Sequence, residues 1–212
     1  AFGAKPNADE LCSELGQSWA ISDGYHKVFA CCQYGHATIE ANLKLAEQAD
    51  PSEIQTIHLE THEKARVMDN PDPTTTIAGK FSIQHIAAAS ALKREGGFAA
   101  FSAEVLSEPS VVSLRHRVST SPYEPIPEWP NDRPTRVTWT LKDGRTLTRE
   151  VLSARGGPDL PFTPDEIRQK IKDIVSDPYP NMFAYLEKIL ELEPEVLAKG
   201  WKENVAWMTK DE

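Results

Sequence analysis

The chain has 212 residues, 40% of them hydrophobic, with 23 Lys and Arg against 32 Asp and Glu for a net charge of −9. This length suits one domain with a small appendage and a genuine core, which excludes disorder, and the acidic balance without a Lys/Arg stripe argues against nucleic acid as a partner. No run approaches about 18 apolar residues and no basic-then-apolar leader opens the chain, so no membrane partner is expected and the expected location is cytoplasmic.

Residues 8–15 have the composition for one or two helical turns, and residues 18–22 and 25–32 carry the aromatic and β-branched residues of short strands. From His36 the pattern changes, with Ile39, Leu43 and Ala46 recurring at helical spacing until Asp50-Pro51 stops the helix. Residues 54–61 read as a strand, because Ile57, Leu59 and Thr61 alternate with His58, Glu60 and His62. Helix-start chemistry at residues 72–76 leads into a stripe of Ile83, Ile86, Ala87 and Ala91, and Lys93, Arg94 and Gly96-Gly97 form the expected stop.

Shorter helices are predicted over 101–106 and 109–117, the second capped by Ser107 with Pro109 in its first turn. Five prolines from Ser121 to Pro134 exclude regular structure there. Two alternating runs between Arg136 and Val151 flank Asp143-Gly144, the signature of an antiparallel hairpin with a type I′ turn, and Val137, Trp139 and Leu141 share one of its faces. Thr163-Pro164-Asp165-Glu166 is a capping box that opens a helix whose buried stripe would be Ile167, Ile171 and Ile174. A helix with Phe183, Leu186, Ile189 and Leu190 follows, and Pro194 opens a polar C-terminal one. Strands and helices interleave without a βαβ rhythm, which predicts an α+β fold: an antiparallel sheet with flanking helices. The expected division is a domain over 1–192 and a helical extension over 193–212.

The three cysteines, Cys12 and the adjacent pair Cys31 and Cys32, fit reduced thiols. His26-Lys27, Cys31-Cys32 and His36 lie close together in sequence, with His36 at a helix start. A Lys and a His beside a helix N-terminus make an electropositive hollow that suits carboxylates and proton transfer; equally, Lys27 is solvated, His36 merely begins a helix and the thiols belong to the core. His85 lies in the most apolar helix and reads either as a satisfied core residue or as a proton-exchanging group. His58, Glu60 and His62 have the composition of a metal triad, but three alternate strand residues span about 13 Å, too far for ligands about 2 Å from one ion. A solvated strand face is expected instead. The loop of Arg155, Gly156 and Gly157 lacks a phosphate-cradle pattern, although Arg155 itself suits an anion.

Four stretches in order carry a resemblance: Tyr25-His26-Lys27-Val28-Phe29-Ala30-Cys31-Cys32-Gln33-Tyr34-Gly35-His36; Asp72-Pro73-Thr74-Thr75-Thr76, with Ala78-Gly79-Lys80-Phe81-Ser82-Ile83-Gln84-His85; Trp129-Pro130-Asn131-Asp132-Arg133-Pro134; and Ser153-Ala154-Arg155-Gly156-Gly157-Pro158. Over roughly residues 17–192 the chain resembles the C-terminal domain of the MmgE/PrpD family, which includes 2-methylcitrate dehydratase, cis-aconitate decarboxylase and iminodisuccinate epimerase. The resemblance implies a lid-type α+β domain that closes on a helical N-terminal domain, acid–base chemistry next to the carboxylates of a small polycarboxylate substrate, no metal or other cofactor, and a homodimer in the intact protein.

Position by position, the resemblance makes Lys27 a carboxylate-binding or proton-donating residue and His36 a further member of its motif. His85 stands where well-known members have a Tyr, and Cys32 stands where the decarboxylase branch has a His. Catalytic roles are therefore expected for Lys27, His85 and His36, and substrate contacts for His26, Cys32 and Arg155. The helical domain that would complete the cleft is missing, and the start at Ala1 without Met suggests an excised piece, so the isolated chain is expected to be inactive. The expected activity is that of a dehydratase-like lyase; the alternatives are an isomerase or epimerase of the same family, or a non-catalytic assembly module using C-terminal helices where Phe183 and Trp201 are exposed.

Overall fold

The structure, a computed structural model, describes residues 7, 9, 12–17 and 19–209. The helical turns expected over 8–15 lie partly outside the described residues, and the start at Ala1 lies outside them. Contacts divide the chain into two compact units, one ending at Pro161 and one beginning at Phe162.

The first unit is built on a sheet of β1 (Ile54–Thr61), β2 (Val118–Pro122), β3 (Thr135–Leu141) and β4 (Thr146–Val151), in the order β2-β1-β3-β4. The class is α+β, as the sequence pattern implies. β1 pairs antiparallel with β3, and β3 with β4, while β2 lies parallel to β1 at the edge. β2 takes in Ser121 and Pro122, which the proline spacing had assigned to a loop; Pro is tolerated there because the strand is at the edge and Pro122 is its last residue.

Alternation on β3 is strict. Thr135, Val137, Trp139 and Leu141 are buried, and the residues between them are half-exposed. They face Ile57 and Leu59 on β1 through the pairs Ile57–Trp139 and Leu59–Val137. A register shift between Ile54 and Thr56 adds one residue to β1, which lets Ile54 turn inward as well as Ile57. The β3–β4 turn differs from the expected type I′. Of the turn residues only Gly144 has a positive φ, +86°, and Leu141 N–H donates to Arg145 O at 2.8 Å, which is a three-residue loop closed by a glycine bulge.

Helices cover one face of this sheet. α1 (His36–Ala46) lies on β3 and β4, and its Asn42 carries a polar network in the core. Trp139 Nε1–H donates to Asn42 Oδ1 at 2.8 Å, and Asn42 Nδ2 donates to Ala87 O and Ser90 Oγ at 3.1 and 2.9 Å. The single apolar stripe expected from residue 76 to residue 93 is two helices. α2 (Glu63–Arg66) precedes them; α3 (Thr76–Lys80) then ends at Phe81, and Ser82 caps α4 (Ile83–Lys93), its Oγ accepting His85 N–H at 3.0 Å. Every residue of α4 from Ile83 to Ala91 is buried, the signature of a helix enclosed on all sides. Its stop also differs from expectation: Arg94 itself takes the left-handed conformation, φ 56°, ahead of the glycines.

α5 (Ala103–Ser107) and α6 (Pro109–Arg115) complete the layer. Ser107 does not cap α6; its hydroxyl bonds back to Ala103 O and Glu104 O, and Glu108 holds the cap position. Of the strand expected over residues 18–22, residue 18 lies outside the described residues and the rest form no strand, since a 3₁₀ turn occupies Ala20–Asp23.

The second unit contains α7 (Pro164–Val175), α8 (Met182–Leu190), α9 (Pro194–Leu197) and α10 (Trp201–Met208). The Thr163 capping box is present as expected. The buried stripe is not: no residue of α7 is buried, and Ile174 is exposed. Tyr185, Val196 and Met208 make a small core instead, with Tyr185 Oη donating to Asn204 Oδ1 at 2.6 Å.

Candidate functional site

Residues 25–35 form an irregular strap rather than the expected strands. The reason lies in its hydrogen bonds, which go to three separate places and never to a neighbouring strand. His26 N–H donates to Gly156 O at 2.8 Å, Ala30 N–H to Gly96 O at 2.9 Å, and Cys32 N–H to Lys80 O at 3.1 Å. Two of these contacts need glycine on the other side. A Cβ on Gly96 would stand 2.6 Å from Phe29 Cδ1, and one on Gly157 would stand 2.5 Å from Tyr25 Cζ. The strap ends in a 3₁₀ turn, Gln33–Gly35, that runs directly into α1.

Most of the residues singled out by sequence lie on this strap or touch it. His26 and Lys27 are exposed, and Cys32 is half-buried. Cys31 is buried; that burial, reinforced by the neighbouring Cys32, pushes its thiol up to about 12 against the opposing pull of Lys27 and Lys80. Two ammonium groups therefore act on one thiol, and they mark an electropositive locus where the strap crosses α3. Arg155 is exposed at the far end of the strap. Its N–H donates to Glu40 Oε1 at 2.8 Å, and burial raises the Glu40 carboxyl while Arg155 opposes that rise.

The two helical histidines are enclosed. His36 is buried at the start of α1 with its ring edge-on to Phe29, centroids 5.3 Å apart. His85 has no exposed surface. Its Nε2 lies 3.0 Å from Ala100 O and its Nδ1 lies 3.2 Å from Arg115 Nη1, so Nε2 carries the proton and Nδ1 accepts from the guanidinium. Burial, with the Arg115 charge adding to it, lowers this imidazole to about 4. His85 sits behind α3, against Gly79, on the inner side of the helix whose Lys80 carbonyl holds Cys32. The strap thus gathers Lys27, His26 and Cys32 on its own surface and leaves His36 and His85 inside the fold.

Sequence reasoning missed several members of this neighbourhood. Lys80 lies 5.0 Å from the Phe98 ring centroid, and Arg133 lies over the Tyr25 ring at 4.6 Å. No periodicity links Tyr25, Lys80 and Arg133, so the quoted motif strings that contain them are the only sequence signal they share. The polar strand face differs from the expected solvated one. His58 is half-buried and held between Ser119 Oγ and Ser121 Oγ, each at 2.9 Å, and His62 leaves the strand to cap α2. Among the described residues no three His, Cys, Asp or Glu side chains approach closely enough to hold a metal ion, and no helix is long and apolar enough to cross a membrane.

The profile of the MmgE/PrpD C-terminal domain matches residues 29–192, which take in most of the strap, α1, the sheet and the start of the second unit. The chain belongs to the MmgE/PrpD family. Among curated proteins, the cis-aconitate decarboxylase of Aspergillus terreus is similar, 26% identical over 162 residues, which cover 70% of this chain. The match covers 33% of that relative, so this MmgE/PrpD domain spans about a third of the length of the curated protein it resembles.

Proposed function

We propose that this MmgE/PrpD domain forms one wall of a site where acid–base chemistry is carried out on carbon beside the carboxylates of a di- or tricarboxylic acid. Lys27 holds a substrate carboxylate and donates or receives a proton, with Lys80 adding positive charge and His26, Cys32 and Arg155 bordering the bound acid. The observation that carries this reading is an exposed ammonium on a strap fixed by backbone bonds on either side, at Gly156 and Gly96. Such fixation is what positions a charged group for a transition state. His36 and His85 contribute through shape: one packs edge-on against Phe29 of the strap and the other ties α4 to Arg115.

Loss of water is the favoured reaction, and removal and return of one proton by an isomerase is the alternative; the decarboxylase name of the relative adds loss of carbon dioxide as a third outcome to be measured. In the gene product that carries this chain, assays of water loss, carbon dioxide release and solvent deuterium uptake with citrate-like acids separate the three. Lys27→Ala is expected to lower kcat/KM by about 100-fold or more while leaving the melting temperature unchanged. An unchanged kcat/KM removes Lys27 from the site. A second reading, assembly through the C-terminal helices, is supported by Leu190, Leu192 and Trp201, exposed at 62%, 67% and 73%. Light scattering with and without residues 180–212 tests it, and a monomer in both cases ends it.

A further inference from the structure

We infer that Arg133, held between Tyr25 and Tyr34, is a second docking point for a carboxylate, so that the acid bound at Lys27 spans to this guanidinium. The inference rests on the proposed polycarboxylate reading and extends it to a named subsite.

Arg133 is unusual in how little of its hydrogen-bonding capacity is used. Its guanidinium carbon lies 4.6 Å from the Tyr25 ring centroid and 5.8 Å from that of Tyr34. Aromatic faces fix the plane of a guanidinium without consuming its N–H groups. Among the described residues nothing accepts a hydrogen bond from Arg133, and its Nε is buried without a partner. Asp132 lies 3.7 Å from that Nε, well beyond the 2.7–2.9 Å typical of a charge-assisted bond. A planar fork with unused donors is the group best suited to a carboxylate.

The surroundings point the same way. The Tyr34 ring is stacked on His62 with centroids 5.0 Å apart, and Lys64 Nζ lies 5.5 Å from the Tyr34 centroid. Lys64 makes no ion pair among the described residues, so its charge adds to that of Arg133. Next to Tyr34, both amide atoms of Gln33 are buried without hydrogen-bond partners. Buried polar atoms are seldom left so in a folded protein. The acids of this neighbourhood are Asp132, beside the Arg133 Nε, and Asp159, whose Oδ1 lies at the Gly157–Tyr25 contact.

Lys27 is close in the chain to the ring under Arg133: Tyr25 and Lys27 are two residues apart on the strap, so their Cα atoms are separated by no more than about 7 Å. Tyr25 is held in turn by the Gly157 loop, where Ser153 Oγ donates to Asp159 Oδ2 at 2.7 Å.

The test is isothermal titration of the full 212-residue chain with citrate, and with acetate and inorganic phosphate as controls. Citrate is expected to bind the wild type at millimolar concentration or better, at least tenfold more tightly than acetate or phosphate. Arg133→Lys, which keeps the charge and loses the fork, is expected to weaken citrate binding about tenfold without altering the melting temperature. Gly157→Ala, which pushes on Tyr25 rather than on Arg133, is expected to weaken it several-fold. If Arg133→Lys binds citrate as the wild type does while Lys27→Ala does not, the Arg133 subsite is overturned and the Lys27 reading survives. Weakening by Arg133→Lys but not by Lys27→Ala supports the subsite and removes Lys27. No citrate binding, or phosphate binding equal to citrate, overturns the subsite.

Discussion

The enclosed side of the first unit and the strap use similar residues to opposite ends. On the enclosed side Arg115 is 4% exposed and gives its N–H groups to His85 Nδ1 and to Leu106 O at 3.2 and 3.0 Å. On the strap side Arg133 lies between two tyrosines and gives its N–H groups to nothing described; the Nε of both arginines is buried without a partner, so the two differ in what their Nη groups meet. Satisfied polar groups inside a fold specify its packing, whereas unsatisfied ones held in place at a surface are available to a ligand. The difference separates residues that hold this domain together from residues proposed to meet a ligand, even where both are Lys, Arg or His.

The comparison breaks most severely at the centre of the core. Asn42→Leu would leave the Trp139 indole N–H without an acceptor and remove the hydrogen bond that Ser90 Oγ accepts, in a place water does not reach, while Ala87 O keeps Ser90 Oγ as a donor. An orphaned buried group costs roughly 1–3 kcal/mol, so urea unfolding should show a loss of about 2 kcal/mol. A loss below about 1 kcal/mol would mean that the network is not what fixes α1 on the sheet.

His85 comes next. Its imidazole titrates near 4 in the folded chain and near 6.5 when unfolded, so the folded state favours the neutral ring. The stability this supplies is complete above about pH 6.5, is lost progressively as the pH falls toward 4, and amounts to about 3 kcal/mol. His85→Gln can still accept from Arg115 and donate to Ala100 O. Its unfolding free energy should fall less steeply than that of the wild type between pH 6.5 and 4, and equal slopes would place the proton elsewhere.

These two cases also show what was legible in advance. Trp139, Val137 and Leu141 announced their face by alternation, because a sheet half-buried on one side imposes period two on its sequence. The Thr163 capping box was equally plain, because it is a local arrangement of three residues. β2 was not legible, since its partner β1 is some sixty residues away and its own residues, Val-Ser-Thr-Ser-Pro, carry no strong preference. The strap failed as a strand for a related reason: its residues have strand propensity, but its bonds run to loops fixed by distant parts of the chain. Within the site, motif strings located Lys27 and its neighbours, yet nothing in them said that His85 would be sealed by Ala100 and Arg115 or that Arg133 would meet Tyr25. Those pairings join residues 15 to about a hundred positions apart, and side-chain burial is decided by them rather than by spacing.

A third arginine completes the comparison and should matter least. Arg136 lies mid-sheet on the polar face, 41% exposed, and bridges Glu60 on β1 and Glu150 on β4, the latter at 2.7 Å. Tyr123 also donates to Glu150 at 2.8 Å, and together these partners hold the Glu150 carboxyl below its usual range. The network looks stronger than the Arg115 arrangement, yet water competes for every member of it and salt screens the charges. Arg136→Ala should therefore cost less than about 1 kcal/mol, and less again in high salt. Arg115→Ala, by contrast, leaves His85 Nδ1 and Leu106 O buried without a donor and should cost several times more. If the two losses prove equal, exposure does not decide which arginines matter in this domain, and the separation between the enclosed side and the strap loses its physical basis.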